Sequence, residues 1–211
     1  MEVVDGKQVR ITFDGKKCIH ARNCVLSQPA VFKANVVGPW IDPDAASPEE
    51  LLTVASRCPS GAIRVDRLDG SPSEQPSARN SVAVLENGPY AVRGDLRVAG
   101  APAGVRATLC RCGQSGNKPY CDGAHAAAKF VATGEFPTPA EVPAWGESGP
   151  LELTPLKNGP LKVAGEHEVT CGTGHTVKRG ATAFLCRCGA SANKPFCDGT
   201  HRKAGFTADG A

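Results

Sequence analysis

The sequence predicts an α+β protein made of small domains rather than one large core. Aromatic residues make up only 5% of the 211 residues, whereas the chain contains 24 Gly and 17 Pro. Short apolar runs flank Asn-Gly pairs, a pattern typical of β-hairpins. A sixteen-residue segment rich in Cys also occurs twice. Loop-rich units with thin cores are often held together by metals or disulfides.

The chain divides into three segments. Residues 1–70 form the first and are followed by a polar, Pro-containing linker that begins at Ser71. Residues 81–136 carry the first copy of the repeat and residues 151–211 carry the second. An extended, Pro-rich connection is expected between the two copies.

The first segment has one clear helix and two strands. Ser47 is a typical N-cap residue, and Pro48 suits the first position of a helix. Apolar residues at helical spacing follow them. Alternating residues 9–13 predict a strand, with residues 63–65 as its partner. We expect a ferredoxin-like arrangement of the βαβ type.

Each repeat predicts strands, then a ligand loop, then a short helix. Asn87-Gly88 and Asn158-Gly159 each separate two short apolar runs and so predict turns between strands. A further strand is expected to lead into each Cys-rich segment, over residues 105–109 and 182–185.

The repeated segment carries three thiols and one imidazole at the spacing C-x-C-x8-C-x3-H. The copies read C-R-C-G-Q-S-G-N-K-P-Y-C-D-G-A-H from Cys110 to His125 and C-R-C-G-A-S-A-N-K-P-F-C-D-G-T-H from Cys186 to His201. They differ at four positions, and none of these is a Cys or His. The ligands are predicted to be Cys110, Cys112, Cys121 and His125 in the first copy, and Cys186, Cys188, Cys197 and His201 in the second. Such a set suits either tetrahedral Zn²⁺ or an iron–sulfur cluster, and spacing alone does not separate the two.

Composition restricts the possible surroundings and partners. The chain starts without a basic and apolar leader, and no apolar run approaches the length of a membrane span. We therefore expect a cytoplasmic protein whose ten cysteines serve metal or redox work rather than disulfides. The net charge of +3 is spread along the chain, so neither nucleic acid nor membrane is an expected partner.

The repeated segment closely resembles the CDGSH iron–sulfur domain, which is the signature of the NEET proteins. The matching residues are Cys110, Cys112, Ser115, Pro119, Cys121, Asp122, Gly123, Ala124 and His125, with Cys186, Cys188, Ser191, Pro195, Cys197, Asp198, Gly199, Thr200 and His201 in the second copy. The resemblance implies one [2Fe–2S] cluster for each motif, held by three Cys and one His. A zinc-stapled module is the alternative.

Two motifs in one chain resemble the tandem, monomeric members of that family. The resemblance implies an intramolecular pseudo-two-fold NEET-like fold with shared β-structure, so that the monomer is an internal pseudo-dimer. Ser115 and Ser191 are expected to donate hydrogen bonds to cluster sulfur. Lys118 and Lys194 are expected near the cluster or against an acidic partner, with a solvated side chain as the alternative.

Residues 1–70 resemble a divergent mono-cluster ferredoxin domain. Cys18, Cys24 and Cys58 are the candidate ligands, and Cys58 begins the sequence C-P-S-G-A-I. Ala21 stands where the bacterial ferredoxin run has its second Cys. The resemblance implies a [3Fe–4S] cluster, or [4Fe–4S] if a residue other than Cys supplies the fourth ligand. His20 is a candidate for that ligand, with a solvent-facing side chain as the favoured alternative. An empty, degenerate domain is the alternative.

The expected function is electron transfer or cluster transfer and sensing, with a protein redox partner or an apo-acceptor. No enzyme activity is expected, since the sequence contains neither a P-loop nor a dinucleotide fingerprint. The second repeat has five extra residues around Cys171 and His175. These two are predicted to be a free thiol and a solvent-facing imidazole, with a ligand role as the alternative.

Overall fold

The structure, a computed structural model, describes residues 1–147 and 149–211. They form two compact units, Met1–Gln75 and Pro76–Ala211. Both units mix strands with few and short helices, so the α+β class is confirmed. None of the helices in the described ranges is long and apolar enough to cross a bilayer.

The first unit is a three-stranded antiparallel sheet with two helices. Its elements are β1 (Glu2–Asp5), β2 (Val9–Phe13), α1 (Asn23–Ser27), a 3-10 turn (Pro43–Ala45), α2 (Pro48–Arg57) and β3 (Ile63–Arg67), with the strands in the order β1-β2-β3. The predicted pairing of β2 with β3 is confirmed, with Ile11 opposite Val65. The expected βαβ-type arrangement is wrong, because β2 and β3 run antiparallel whereas a βαβ crossover joins parallel strands.

Helix α2 begins where the sequence predicts it. The Ser47 hydroxyl accepts the Glu50 backbone N–H, and the Glu50 carboxylate accepts the Ser47 N–H at 2.9 Å, which completes a capping box. Leu51 and Val54 are buried against the sheet. Cys58 is the C-cap residue, so the packing of α2 fixes the position of a predicted ligand.

The second unit contains both repeats. Its elements are β4 (Asn80–Val84), β5 (Tyr90–Val98), β6 (Ala101–Leu109), α3 (Ala124–Ala127), β7 (Leu151–Pro155), β8 (Leu161–Thr170), β9 (Thr176–Leu185) and a 3-10 turn (Thr200–Arg202). The strands predicted before each motif are confirmed as the ends of β6 and β9. The Asn-Gly turns are confirmed too, because β4 pairs with β5 and β7 with β8 in antiparallel fashion. Asn87 and Asn158 both adopt a φ of 49°, a left-handed conformation that Asn tolerates.

Strands of one repeat pair with strands of the other. β4 runs parallel to β8 from the pair Asn80–His167 onward, and β5 runs parallel to β7 from the pair Leu96–Leu151 onward. Since β4 also pairs with β5 and β7 with β8, these four strands close into a ring. The alternating buried positions of all four strands form one apolar core.

Candidate metal centres

The first two cysteines of each motif lie at the separation expected for two ligands of one metal ion. Cys110 Sγ is 3.8 Å from Cys112 Sγ, and Cys186 Sγ is 3.6 Å from Cys188 Sγ. Two thiolates bonded at about 2.3 Å to one tetrahedral ion lie about 3.8 Å apart. Cys110 and Cys186 come directly after β6 and β9, so the sheet positions both pairs.

The last two ligands of the first motif form a second pair. Cys121 Sγ lies 3.4 Å from His125 Nδ1, close to the roughly 3.5 Å between sulfur and nitrogen on one tetrahedral ion. In the second motif, His201 Nδ1 is buried without a hydrogen-bond partner among the described residues. A buried, unpartnered ring nitrogen is costly unless it binds something, and a metal would satisfy it. The donor set of each motif therefore fits a metal group.

The two pairs of a motif do not converge on a single point. A tetrahedral ion would bring all four ligand atoms within about 3.8 Å of one another. Among the described residues, no three ligand atoms of either motif lie within 4.8 Å of one another; the one set that does is elsewhere, at Glu135, Cys171 and His175.

The aspartate of each motif ties the ligand loop to the helical turn that carries the histidine. Asp122 accepts the backbone N–H groups of Ala124 at 3.0 Å and Gly116 at 2.8 Å, and Asp198 makes the equivalent pair. Gly123 is the N-cap residue of α3. Gly123 has a φ of 87°, which favours glycine.

The serines of the motifs shape the loop instead of facing a cluster. Ser115 Oγ donates to the Tyr120 carbonyl at 2.7 Å, and Ser191 Oγ donates to the Phe196 carbonyl at 2.7 Å. A hydroxyl has one proton, so the expectation that these serines donate to cluster sulfur needs correction. Both serine side chains are buried, so water is excluded from these hydrogen bonds.

The lysines of the motifs fold back onto the same loops. Lys118 Nζ donates to the Ser115 carbonyl at 2.6 Å, and Lys194 Nζ donates to the Ser191 carbonyl. Of the alternatives for these residues, a freely solvated side chain does not describe the structure. Each ammonium group brings a positive charge to the loop that returns to the third Cys, and the charge of Lys118 helps to lower the pKa of Cys110.

The arginine between the first two cysteines is a structural centre that the sequence reasoning missed. Arg111 is 1% exposed, and its guanidinium donates to four backbone carbonyls, those of Leu85, Gly88, Ala132 and Thr133. Arg187 donates likewise to the carbonyls of Gly159 and Leu156. The sequence contained a signal for this role, because an Arg stands between the first two Cys of both copies.

Each arginine also lies over the aromatic ring that follows its motif. The Arg111 guanidinium carbon is 5.2 Å from the Phe130 ring centroid, and that of Arg187 is 5.5 Å from the Phe206 centroid. Arg111 and Arg187 thus connect the Asn-Gly turn, the ligand loop and the segment after the histidine of their own repeat.

The two C-R-C-G turns are in backbone contact. Gly113 has a φ of 82°, and a Cβ placed on it would lie 3.0 Å from the Cys188 carbonyl oxygen. Gly189 has a φ of 76°, and its Cβ would lie 2.8 Å from the Cys112 carbonyl oxygen. The positive φ and the close approach favour glycine at both positions, so the C-R-C-G turns of the two candidate centres are neighbours.

Burial differs between the motifs. All three cysteines of the first motif are buried, whereas Cys188 and Cys197 of the second are partly exposed. Solvent therefore reaches the thiols of the second motif more easily.

Protons occupy part of the first site when no metal is bound. A hydrogen bond from the Cys112 thiol lowers the pKa of Cys110, and the same bond raises that of Cys112. Burial raises the pKa of Cys121 to about 11. At neutral pH Cys112 and Cys121 therefore hold protons that metal binding must release.

In the first unit, the predicted ligands line one cavity. Cys18, Cys24 and Cys58 all face a space of about 580 Å³, together with His20 and Ala21. His20 Nδ1 lies 4.0 Å from Cys18 Sγ. Burial raises the pKa of both Cys18 and Cys24. The structure therefore places three thiols around one cavity. His20 also lines this cavity but is exposed, in agreement with the solvent-facing alternative.

The family comparison agrees with both kinds of site. Residues 87–126 and 158–202 match the model of the iron-binding zinc finger of CDGSH type, and residues 4–67 match the divergent 4Fe-4S mono-cluster model. The chain is a tandem CDGSH protein with a divergent mono-cluster domain.

Part of this tandem CDGSH protein is similar to curated bacterial proteins. It is 32% identical over 59 residues to the uncharacterized protein YjdI of Escherichia coli K12, which covers 28% of the chain and 76% of YjdI. YjdI of Escherichia coli O157:H7 matches to the same extent. No solved structure matches the chain.

Proposed function

We propose that the chain holds one [2Fe–2S] cluster at each Cys3His motif and transfers electrons. The observation that carries this proposal is the grouping of the ligands into two pairs. In the first motif both pairs have the separation of two ligands on one tetrahedral ion, and in the second motif Cys186 and Cys188 do, yet among the described residues no three ligand atoms of either motif lie within 4.8 Å of one another. Two metal positions in the first motif fit a binuclear cluster better than a single zinc ion.

The residues that would hold the first cluster follow from that pairing. Cys110 and Cys112 would hold one iron, and Cys121 and His125 the other. Cys186, Cys188, Cys197 and His201 would serve the second cluster in the same way. When bound, such a cluster supplies one-electron redox chemistry at a potential set by its ligands, hydrogen bonds and exposure.

Backbone N–H groups are placed to adjust the charge on the ligand thiolates. The Gln114 N–H lies 3.4 Å from Cys112 Sγ, and the Gly123 N–H lies 3.4 Å from Cys121 Sγ. The second motif has equivalent contacts from Ala190 to Cys188 and from Gly199 to Cys197. Donors to a thiolate stabilise the more negative, reduced state of a cluster and so raise its potential.

We also propose that the repeats are related by an internal pseudo-two-fold axis and that the protein is a monomer. Reciprocal pairing supports this, since the later part of β5 pairs with β7 of the second repeat and the later part of β8 pairs with β4 of the first. The shared sheet would be the intramolecular counterpart of a dimer interface.

Electron transfer is favoured because the C-R-C-G turns of the two centres are in backbone contact. The contacts of Gly113 with Cys188 and of Gly189 with Cys112 give a short path from one ligand turn to the other. A protein redox partner would then reduce or oxidise one centre and reach the second through it. No substrate reaction is proposed for the chain itself.

Cluster transfer to an apo-acceptor is the second candidate. The observation that favours it is the partial exposure of Cys188 and Cys197, since an acceptor must reach ligands to displace them. The first motif, with all its cysteines buried, would keep its cluster.

The N-terminal cavity is proposed to hold a [3Fe–4S] cluster, or [4Fe–4S] with His20 as fourth ligand. None of the ten cysteines, all of which lie in the described residues, forms a disulfide, which suits a reducing compartment such as the cytoplasm.

Metal analysis of the full chain tests the proposal. Cys112→Ala and Cys188→Ala should each lower the content by about two iron and about two sulfide per chain. Electron paramagnetic resonance should show a signal on reduction that weakens in each variant. Stoichiometric zinc at these motifs, without sulfide, would contradict the proposal. Release of iron and sulfide to an apo-ferredoxin, faster than reduction by a reductase, would favour cluster transfer.

A further inference from the structure

A third group of ligand-type side chains lies outside the two motifs. One carboxylate oxygen of Glu135, Cys171 Sγ and a ring nitrogen of His175 all lie within 4.8 Å of one another, and no other such set of three occurs among the described residues. The two sequence segments involved are the connection after the first motif and the five-residue insertion of the second repeat.

The hairpin turn between β8 and β9 brings Cys171 and His175 together. The Cys171 N–H donates to the His175 carbonyl at 3.0 Å, and Gly174 adopts a φ of 95° within the turn. Cys171 Sγ consequently lies 2.8 Å from His175 Nδ1. The thiol is 1% exposed and the imidazole is half-buried, so the sequence expectation of a solvent-facing histidine is wrong.

Backbone and side-chain contacts hold Glu135 against this turn. The Gly172 N–H donates to the Gly134 carbonyl at 3.0 Å. The Thr173 hydroxyl donates to one carboxylate oxygen of Glu135 at 2.9 Å, and the Thr173 N–H donates to the other at 3.0 Å. These bonds, the hydroxyl first, lower the pKa of Glu135, so the carboxylate is ionised at neutral pH.

The imidazole is oriented as a metal ligand. His175 Nε2 lies 2.9 Å from the Phe136 carbonyl oxygen. A carbonyl oxygen only accepts, so the ring proton is on Nε2 and Nδ1 presents a lone pair toward Cys171. Histidines that bind metals commonly donate their other N–H to a carbonyl or carboxylate in this manner.

We propose that Glu135, Cys171 and His175 bind one divalent transition-metal ion of the zinc type. One thiolate, one imidazole and one carboxylate are a donor set that Zn²⁺ accepts, whereas Mg²⁺ and Ca²⁺ prefer oxygen ligands alone. Three protein ligands leave a fourth position, which the exposed side of Glu135 opens to water.

The Cys171–His175 pair must open to accept the ion. Sulfur and nitrogen bonded to one tetrahedral ion lie about 3.5 Å apart, so this pair must open by about 0.7 Å from its separation of 2.8 Å. The ion would join the connection after the first motif to a hairpin of the second repeat. This inference does not depend on clusters in the Cys3His motifs.

Zinc and iron counts on the full-length protein test the site. Protein equilibrated with Zn²⁺ and then dialysed should retain about one zinc per chain. Cys171→Ser, His175→Ala and Glu135→Gln should each weaken zinc binding about tenfold or more and leave the iron content unchanged. Glu141→Gln is the matched control, because Glu141 is an exposed carboxylate in the same connection.

X-ray absorption at the zinc edge separates this site from misloaded motifs. We expect one sulfur at about 2.3 Å for each zinc, with nitrogen or oxygen at about 2.0–2.1 Å as the remaining ligands. Three sulfurs per zinc would place the ion in a Cys3His motif and overturn the proposal. Absence of retained zinc in the unaltered protein would overturn it as well. So would zinc retention in all three ligand variants that equals that of the unaltered protein.

Discussion

The hydroxyl of Tyr90, in the first repeat, donates to the backbone carbonyl of Cys186, the first ligand of the second motif, at 2.9 Å. The Pro195 carbonyl lies 3.0 Å from the same hydroxyl. The phenol is fully buried, and burial raises its pKa well above the ordinary value, so it stays a neutral donor. One repeat thus braces the ligand loop of the other.

Tyr90→Phe should weaken the second centre more than the first. The substitution removes the donor to the buried Cys186 carbonyl, at a cost of about 1–3 kcal/mol, whereas the Pro195 carbonyl still accepts the Cys186 N–H. Bleaching of the visible absorbance should become faster for the second centre, measured with Cys112→Ala in the background to isolate it. In the Cys188→Ala background, which isolates the first centre, Tyr90→Phe should change the bleaching rate little. An equal acceleration in both backgrounds would show that Tyr90 acts on the whole core.

Gly189→Ala should disturb both centres. A methyl group there would meet the Cys112 carbonyl, and the positive φ adds about 1–2 kcal/mol for an L-residue. Gly100→Ala is the matched control, because Gly100 has a φ of 79° but no neighbour within 4 Å of its Cβ position. Iron content after purification should fall for Gly189→Ala and stay near normal for the control. Equal losses would mean that backbone strain alone is responsible.

The N-terminal cavity should contribute iron of its own. Cys18→Ala, Cys24→Ala or Cys58→Ala should each lower the iron of the anaerobically purified full chain and leave the resonance signals of the two motifs intact. His20→Ala should lower iron only if the imidazole is a ligand. Iron counts identical to those of the unaltered chain in all three cysteine variants would mean that this domain is empty.

Much of the local structure was predictable because it depends on near neighbours. The capping box at Ser47 and the turns at Asn87 and Asn158 each need only a few adjacent residues. The ligand sets were also visible, since each lies within sixteen consecutive residues.

What could not be predicted depends on distant pairings. Nothing local to Tyr90 indicates that its hydroxyl reaches a residue 96 positions away. The Glu135 carboxylate accepts hydrogen bonds from Thr173, 38 positions away, so the sequence reasoning assigned Cys171 and His175 to a free thiol and a solvent-facing imidazole. The direction of β3 relative to β2 likewise depends on how the intervening helices pack.

Acid should release clusters through the histidines. A ligating imidazole must be neutral, so protons compete with the metal for it as pH falls. Faster cluster loss is expected from pH 7 toward about 5. His125→Cys and His201→Cys should each slow the loss at one centre and lower its potential, and the double variant should lose most of the acid dependence.

The aspartates of the motifs do not confound this measurement. Hydrogen bonds from backbone N–H groups, that of Thr200 first, hold the pKa of Asp198 well below its usual range. A depressed carboxyl stabilises the fold at all pH values above its unfolded pKa of about 3.9 and loses that effect only below it. Asp198 therefore stays ionised from pH 7 to about 5. Unchanged acid lability in the double variant would point to another ligand.

The pairing of strands between the two repeats has a consequence for how such a chain can be divided. A single repeat cut from the protein would leave the later half of β5 or β8 with unpaired backbone N–H and C=O groups, and exposed edges of that kind recruit another strand. An isolated copy should therefore form a homodimer, and two separately expressed halves should find each other and reassemble. The peptide between them raises their local concentration, whereas their specificity for each other resides in the β-ladders.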